Sequence, residues 1–244
     1  MRKFSMTEFD IAFAALTRMQ WQEEQQYYPR YRERYLAILK QFAAVANQES
    51  LDILEIGGGQ LAFLGSRLWL QDKACVADIT DQCFSSLQLN HIDTFLWNLA
   101  TEESPVDQLF DVIFFSEVIE HLPIPGHVAL ERLRTRLRPG GLLLCSTPNL
   151  YRLRNVVFLA TGRTLFDHFG LPGARAYGHI IEYSAEHLAW QFEQAGFADV
   201  SINFRQFAHT PNKLQDRVLE KLGSPLLLIS RYRDNLLAVA RAQG

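Results

Sequence analysis

The sequence predicts an α/β fold in which alternating strands and helices build a mostly parallel β-sheet. From Leu51 onward, short apolar runs bounded by glycine or acidic residues alternate with stretches of helical periodicity. This alternation is typical of β/α units. Before Leu51 the apolar residues recur at helical spacing alone. The 244 residues, 48% of them hydrophobic, suffice for one domain with a buried core.

Residues 1–48 are predicted to form an N-terminal helical cap. A first helix begins near Thr7, which has the spacing of a capping pair with Asp10. A second begins near Pro29, because proline suits the first helical turn. Its apolar stripe contains Tyr31, Tyr35, Leu39 and Phe42.

Residues 49–244 are predicted to form the main α/β domain. Its candidate strands are Leu51–Ile56, Ala74–Ile79, Thr94–Leu96, Phe110–Phe115, Leu142–Ser146, Ala198–Phe204 and Leu236–Ala240. Helices are expected over Gly126–Leu137, before the Pro139-Gly140-Gly141 sequence, and over Ser184–Ala195. Together they predict a sheet with crossover helices.

Two segments interrupt this pattern and are predicted to lie over the site. Residues 150–178 mix glycine and proline with apolar residues, which suggests an insertion after the fifth strand. Residues 206–232 contain a candidate helix, Lys213–Leu222, and the apolar run Leu226–Ile229. This second segment is expected to be lid-like; a homodimer face and a peripheral membrane contact are the alternatives.

Composition limits the classes of partner and the compartment. The 24 basic and 27 acidic residues give a formal net charge of -3, which argues against a nucleic-acid partner. The three cysteines form no C-x-x-C pair, and no long apolar run indicates a signal peptide or a membrane span. We therefore expect a cytoplasmic protein with reduced thiols.

A glycine turn follows the first strand, in the sequence Glu55-Ile56-Gly57-Gly58-Gly59. Such a turn brings backbone N–H groups and a helix N-terminus close to a ligand. The spacing fits two cofactor classes. With Ala62, and with Asp78 about 20 residues beyond the turn, it satisfies a loose dinucleotide fingerprint. The position of Glu55, two residues before the first glycine, instead resembles that of the acidic residue in the class I S-adenosylmethionine-dependent methyltransferases.

Three downstream sequences decide between these classes: Phe110–Leu122, Leu137–Gly141 and Ser146–Asn149. In order and spacing they resemble consecutive motifs of the class I S-adenosylmethionine-dependent methyltransferases, in the branch of the ubiquinone-biosynthesis O-methyltransferases. The resemblance spans Leu51 to Gly196. It implies a Rossmann-like, seven-stranded, mostly parallel sheet with helices on both faces.

The resemblance also assigns S-adenosylmethionine as cofactor and a residue set to bind it. Glu55 and the glycines would face its methionine part, Asp78 would accept from both ribose hydroxyls, and Asn98 would lie near the adenine amine. Asn98 replaces an aspartate of the family, and Leu61 replaces its third glycine. The implied cofactor-binding residues are Glu55, Gly57, Gly58, Gly59, Asp78, Asn98 and Ser116.

A second candidate site is the sequence Glu117-Val118-Ile119-Glu120-His121. If this segment is helical, Glu117, Glu120 and His121 lie on one face and can hold a divalent cation. His179 is the fourth candidate ligand. The set resembles metal-dependent ubiquinone-pathway O-methyltransferases and the methyltransferases of small-RNA terminal riboses, in which Mg²⁺ or a similar ion binds acceptor hydroxyls. The alternative is that His121 acts alone as the general base.

We therefore expect an enzyme that methylates a hydroxyl of a small molecule, with His121, Glu117 and Glu120 as its catalytic residues. An N-methyltransferase acting on an amine or amino sugar is one alternative. A nucleotide-dependent oxidoreductase with the same glycine turn is another. A non-catalytic binding module is the third, since Leu61 and Asn98 depart from the family pattern.

Overall fold

The structure is a computed structural model that describes residues 2–19, 27–165, 178–207 and 225–243. Its strands are β1 (Asp52–Ile56), β2 (Lys73–Asp78), β3 (Asp93–Leu96), β4 (Phe110–Ser116), β5 (Leu137–Pro148), β6 (Phe197–Arg205) and β7 (Asn235–Ala242). Its α-helices are α1 (Met6–Leu16), α2 (Tyr27–Val45), α3 (Gln60–Leu68), α4 (Phe84–Gln88), α5 (Gly126–Arg134), α6 (Leu153–Ala160) and α7 (Ala185–Gln194). No helix within these ranges is long and apolar enough to cross a membrane.

The strands form one seven-stranded sheet in the order β3-β2-β1-β4-β5-β7-β6. β1 to β5 are parallel to one another, and β7 is antiparallel to both β5 and β6. The predicted seven-stranded, mostly parallel sheet is therefore confirmed. The chain proceeds outward from β1 to β3 and then returns to place β4 beside β1. The crevice at the carboxyl ends of β1 and β4 is where open α/β sheets bind ligands.

Alternate strand residues point to opposite faces, so the sheet has a hydrophobic core on each side. Ile53 and Phe114 pack with α1, α2 and α3 on one face, whereas Ile113 and Phe115 pack with α5 and α7 on the other. Phe42 of α2 contacts Phe114, with ring centroids 5.3 Å apart. The N-terminal helices thus share the core of the sheet that they cover.

The Pro139-Gly140-Gly141 sequence lies inside β5, although it was expected to separate a helix from a strand. The register shifts from Phe110↔Leu137 to Val112↔Leu142, which makes a bulge. Gly140 adopts a φ of 75°, a left-handed conformation that suits glycine. α5 therefore ends at Arg134, before the predicted boundary.

The two predicted lid segments are described only in part. α6 lies in the predicted insertion 150–178, and residues 166–177 are outside the described ranges. In the segment 206–232, two short 3₁₀ turns are described, Leu226–Leu228 and Ser230–Tyr232. The predicted helix Lys213–Leu222 lies outside the described residues.

Candidate active site

The glycine turn lies between β1 and α3, as the sequence predicts. Gly57, Gly58 and Gly59 have φ values of 81°, 71° and 93°, a region that favours glycine. A Cβ atom on Gly59 would lie 2.9 Å from Leu87 Cδ1, so a larger residue would displace α4. The backbone N–H of Gly57 donates to the Ala77 carbonyl oxygen at 2.8 Å. The turn therefore closes against the end of β2.

Glu55 is buried beneath this turn and caps the following helix. The backbone N–H groups of Leu61 and Ala62 donate to its Oε1 and Oε2 atoms, at 3.2 and 2.6 Å. Burial raises the pKa of Glu55 to about 8, although these N–H groups oppose the rise. Leu61, at the position of the third family glycine, therefore contributes its backbone N–H to this cap. Direct contact of Glu55 with a cofactor stays a prediction, since both oxygens face α3.

The raised pKa of Glu55 predicts a pH-dependent stability. Between about pH 4.5 and 8 the folded chain keeps a proton on Glu55 that the unfolded chain has released. In that window Glu55 lowers the free energy of unfolding by about 1.4 kcal/mol for each unit of rising pH. Glu55→Gln should lack this contribution. Urea unfolding of both proteins from pH 5 to 8 measures the difference, and identical pH slopes would contradict the prediction.

Asp78 is the last residue of β2, and Asn98 lies two residues after the end of the parallel strand β3. The Asp78 Oδ2 atom accepts from the backbone N–H of Gly58 at 2.9 Å, and its Oδ1 accepts from that of Thr80 at 3.0 Å. Asn98 Oδ1 accepts from the Ala100 N–H at 3.1 Å. Asp78 therefore holds the glycine turn directly. Recognition of ribose by Asp78 and of adenine by Asn98 stays a prediction.

The segment after β4 is not the helix that sequence spacing suggested. Glu117 has a φ of 56°, and Ile119–His121 forms a single 3₁₀ turn. Glu117 therefore does not join Glu120 and His121 on one helical face. The prediction that Glu117 shares a metal cluster with Glu120 and His121 is therefore wrong. The left-handed backbone conformation of Glu117 directs its carboxylate toward α2 and the ends of β5 and β7.

The Glu117 carboxylate has a full set of protein partners. Its Oε1 accepts from Ser146 Oγ at 2.8 Å and from Asn235 Nδ2 at 3.1 Å. Its Oε2 lies 3.1 Å from Arg34 Nη1 in an ion pair. Ser146 Oγ also shares a 2.8 Å hydrogen bond with Ser116 Oγ. Ser116, a predicted cofactor residue, thus belongs to a polar network at the crevice.

Arg34 is a residue of this site that sequence analysis missed. It lies on α2, is 6% exposed, and its guanidinium carbon is 4.2 Å from the Tyr31 ring centroid. Arg34 Nε has no hydrogen-bond partner among the described residues. The sequence contains one indication of this role. Arg34 lies on the apolar, tyrosine-rich face of α2, and a cation buried on such a face needs a buried anion as its partner.

Three predicted ligands do meet. Glu120, His121 and His179 each offer one ligand atom, and these atoms lie within 4.8 Å of one another. Glu120 Oε1 is 3.9 Å from His121 Nε2, and the two imidazole centroids are 4.9 Å apart. The backbone N–H of Ile180 donates to the Glu120 carbonyl oxygen at 2.8 Å. This bond brings His179 to the carboxyl end of β4.

Each imidazole is oriented by an acceptor behind it. His121 Nδ1 lies 3.2 Å from the Gly178 carbonyl oxygen, and His179 Nδ1 lies 3.2 Å from Glu182 Oε1. Carbonyl and carboxylate oxygens only accept, so both Nδ1 atoms carry the hydrogen. In the neutral rings Nε2 is then the deprotonated nitrogen, which is the form that binds a metal.

Glu120 supplies the remaining ligand. It is fully buried, and its Oε2 accepts from Thr147 Oγ1 at 2.9 Å. Its Oε1 has no hydrogen-bond partner among the described residues. Burial, and then the neighbouring Glu117 charge, raise the pKa of Glu120 well above its usual range. An orphaned buried carboxylate oxygen beside two imidazoles fits a divalent ion, which would supply the missing partner.

Comparison with known proteins identifies the family. A family model described as a methyltransferase domain matches residues 28–202, more than half of the chain. The ubiquinone biosynthesis O-methyltransferase of Albidiferax ferrireducens is 30% identical over 146 residues, which cover 56% of this chain and 56% of that protein. The chain thus matches little more than half the length of this relative.

Solved structures share the fold at lower identity. The N-methyltransferase NodS from Bradyrhizobium japonicum, in complex with S-adenosyl-L-homocysteine, has a TM-score of 0.55 at 16% identity, over 97% of this chain and 100% of that chain. A SAM-dependent methyltransferase from Archaeoglobus fulgidus has a TM-score of 0.57 at 16% identity, over 88% and 99%. The dinucleotide alternative for the glycine turn is therefore wrong. The chain belongs to the methyltransferase domain family and has the fold of the class I S-adenosylmethionine-dependent methyltransferases.

Proposed function

We propose that this chain transfers the methyl group of S-adenosylmethionine to a hydroxyl of a small molecule, with a divalent ion at Glu120, His121 and His179. The observation that carries the metal-assisted form is the Oε1 atom of Glu120, which has no hydrogen-bond partner in the described ranges and lies beside two oriented imidazoles. The 30% identical relative is named as an O-methyltransferase, which supports the hydroxyl acceptor.

The ion site would lie next to the cofactor site. A Cβ atom on Gly57 would be 3.1 Å from Val118 Cγ2, and Val118 immediately precedes the 3₁₀ turn of Glu120 and His121. One chain segment therefore packs on the glycine turn and carries two ion ligands. A hydroxyl held at the ion would be close to a methyl donor held at the turn.

The residues of this chain would mainly bind and orient the reactants. When bound, S-adenosylmethionine supplies an activated methyl group, and a divalent ion lowers the pKa of a coordinated hydroxyl. The glycine turn would leave room for the cofactor against the backbone, because it carries no side chains, and Asp78 would offer carboxylate oxygens to ribose hydroxyls. Glu120, His121 and His179 would hold the ion, and through it the acceptor oxygen, near the methyl group.

Two alternatives predict different ion dependence. If His121 is the only base, or if the acceptor is an amine, turnover needs no divalent ion. Acceptor screening with labelled S-adenosylmethionine, with and without EDTA, separates these cases. Full activity after complete metal removal would contradict the metal site and leave methyl transfer intact. No binding of S-adenosylhomocysteine would favour the non-catalytic binding module.

Cofactor binding gives a direct prediction about Asp78. S-adenosylhomocysteine should raise the midpoint of thermal unfolding, whereas NAD should not, because a ligand of the folded state stabilises it by mass action. A ligand at 100 times its Kd stabilises by about 2.7 kcal/mol. Asp78→Asn keeps the shape of the side chain but removes its charge. We expect at least about a tenfold loss of affinity, since charged hydrogen bonds contribute about 1.5–3 kcal/mol.

The matched control is Asp81→Asn, an exposed aspartate three residues further along the chain. It should bind S-adenosylhomocysteine as the unchanged protein does. Equal affinities for the Asp78 variant and the control would remove Asp78 from the proposed cofactor site. Calorimetric titration measures both affinities.

The second lid segment presents exposed apolar side chains. Leu226, Leu228 and Ile229 are 45%, 82% and 45% exposed. A small-molecule acceptor that partitions into membranes would reach the site most directly if this run contacted a lipid surface. We also propose that this run contacts a membrane surface or a second copy of the chain, and that the protein is cytoplasmic.

A further inference from the structure

Glu182 is a buried carboxylate directly behind His179. Its side chain is only 1% exposed, and it lies in the short link between His179 and α7. Besides the His179 ring, it accepts from Arg152 Nη2 at 2.5 Å and from Asn155 Nδ2. A buried anion with one histidine and two further donors is costly to build. Such a group calls for an explanation beyond packing.

The two further donors come from the start of α6. Arg152 immediately precedes the helix, and its Nε donates to Asn155 Oδ1 at 3.1 Å. The amide of Asn155 also donates to the Leu150 carbonyl oxygen at 3.0 Å. Arg152 and Asn155 therefore constrain each other as well as Glu182. Arg152 and Asn155 thus bind the Glu182 carboxylate from the α6 side, and its Oε1 atom also lies against the His179 imidazole.

This arrangement determines which nitrogen of His179 can bind an ion. An ionised carboxylate accepts but does not donate, so the ring hydrogen belongs on Nδ1. Arg152 donates to one oxygen of Glu182 at 2.5 Å and Asn155 donates to the other, and a guanidinium cation so close favours the ionised carboxylate. Carboxylates placed behind metal-binding histidines in this way fix the ring and increase its basicity.

We propose that Arg152, Asn155 and Glu182 form a positioning network that orients His179 and fixes its tautomer for a divalent ion. The inference rests on the metal site of the proposed function. It extends that site to the start of α6, whose residues would control ion affinity without touching the ion. None of the three residues is assigned to catalysis.

The first test measures Mn²⁺ affinity of the full chain by calorimetry and by electron paramagnetic resonance. Glu182→Gln replaces one acceptor oxygen by a donor, so the amide cannot accept from His179 and from both α6 donors together. We expect Mn²⁺ affinity to fall about 10–100-fold, the usual cost of losing such a partner. Affinity for S-adenosylhomocysteine should stay within twofold, because the cofactor residues are untouched.

Glu193→Gln is the matched control, since Glu193 is an exposed glutamate on nearby α7. It should bind Mn²⁺ as the unchanged protein does. A folded Glu182→Gln protein with Mn²⁺ affinity within twofold of the unchanged protein would overturn the positioning role and leave the metal site standing. Failure of the unchanged protein to bind Mn²⁺ would instead remove the metal site, and this inference with it.

A second measurement needs neither a variant nor an ion. The ¹⁵N chemical shifts of the His179 ring distinguish its two neutral tautomers in the metal-free protein. We expect hydrogen on Nδ1 in the unchanged chain and a mixture in Glu182→Gln. Hydrogen on Nε2 in the unchanged chain would overturn the inference whatever the Mn²⁺ result. A purely structural role of Glu182 would change stability but not the tautomer.

Discussion

Replacing Glu120 by glutamine should remove divalent-ion binding and, at the same time, make the metal-free protein more stable. The carboxylate is fully buried with an oxygen that lacks a hydrogen-bond partner among the described residues. Keeping it buried without an ion costs free energy, because it must either take up a proton or remain an uncompensated charge. An amide in its place can still accept from Thr147 and can donate toward His121 Nε2. We expect Mn²⁺ affinity to fall at least about 100-fold and the free energy of unfolding to rise by about 1–3 kcal/mol.

Glu117→Gln is the informative comparison, because both glutamates belong to the same sequence pattern. The structure turns Glu117 toward Arg34 and away from the two imidazoles. Its variant should therefore keep Mn²⁺ affinity within a few-fold and should lose stability. Calorimetric Mn²⁺ titration and urea unfolding of both variants provide the measurements. Equal loss of Mn²⁺ affinity in the two variants would return Glu117 to the ion site.

The second large effect concerns the buried ion pair between Arg34 and Glu117. Arg34→Met keeps the apolar stem beside Tyr31 but leaves the Glu117 charge without its cation. Breaking a buried pair from one side costs about 3–5 kcal/mol. The double variant Arg34→Met with Glu117→Gln should recover part of this loss, because no uncompensated charge remains.

Urea unfolding of the two single variants and the double variant forms a double-mutant cycle. The coupling energy should be favourable to the native pair and should change little with salt, since both groups are shielded from solvent. A loss below about 1 kcal/mol for Arg34→Met would mean that the pair behaves as an exposed one. That result would also remove Arg34 as the link between α2 and the crevice.

Residues that are close in sequence made much of the fold predictable. Apolar runs bounded by glycine are local signals of buried parallel strands, and six of the seven strands lie within two residues of the predicted ranges, whereas β5 begins five residues earlier. The turn after β1 was equally predictable, because three consecutive glycines permit the positive φ values that the turn requires. Both signals depend on backbone sterics within a few residues.

Helical spacing misled the prediction at Glu117. The pattern at positions i, i+3 and i+4 assumes a continuous helix, but the left-handed conformation of Glu117 separates it from the 3₁₀ turn that follows. The structure brings ligand atoms of Glu120, His121 and His179 within 4.8 Å of one another, although His179 is distant from the other two in sequence. The family motifs supplied that grouping, since local periodicity cannot place residue 179 beside residue 121.

Arg34 and Glu182 show what only the tertiary structure could decide. Glu182 does not stand out in the sequence, because a charged residue is ordinarily solvated, and Arg34 is indicated only by the tyrosine-rich helix face around it. Their meaning depends on burial beside partners from other elements: Glu117 at the end of β4 for Arg34, and Arg152 before α6 for Glu182. The order of elements and the glycine turn could be predicted from the sequence, because they follow from local sterics and burial. The pairing of charges and the tautomers of the histidines were decided by folding, because only folding removes these groups from water and sets their partners.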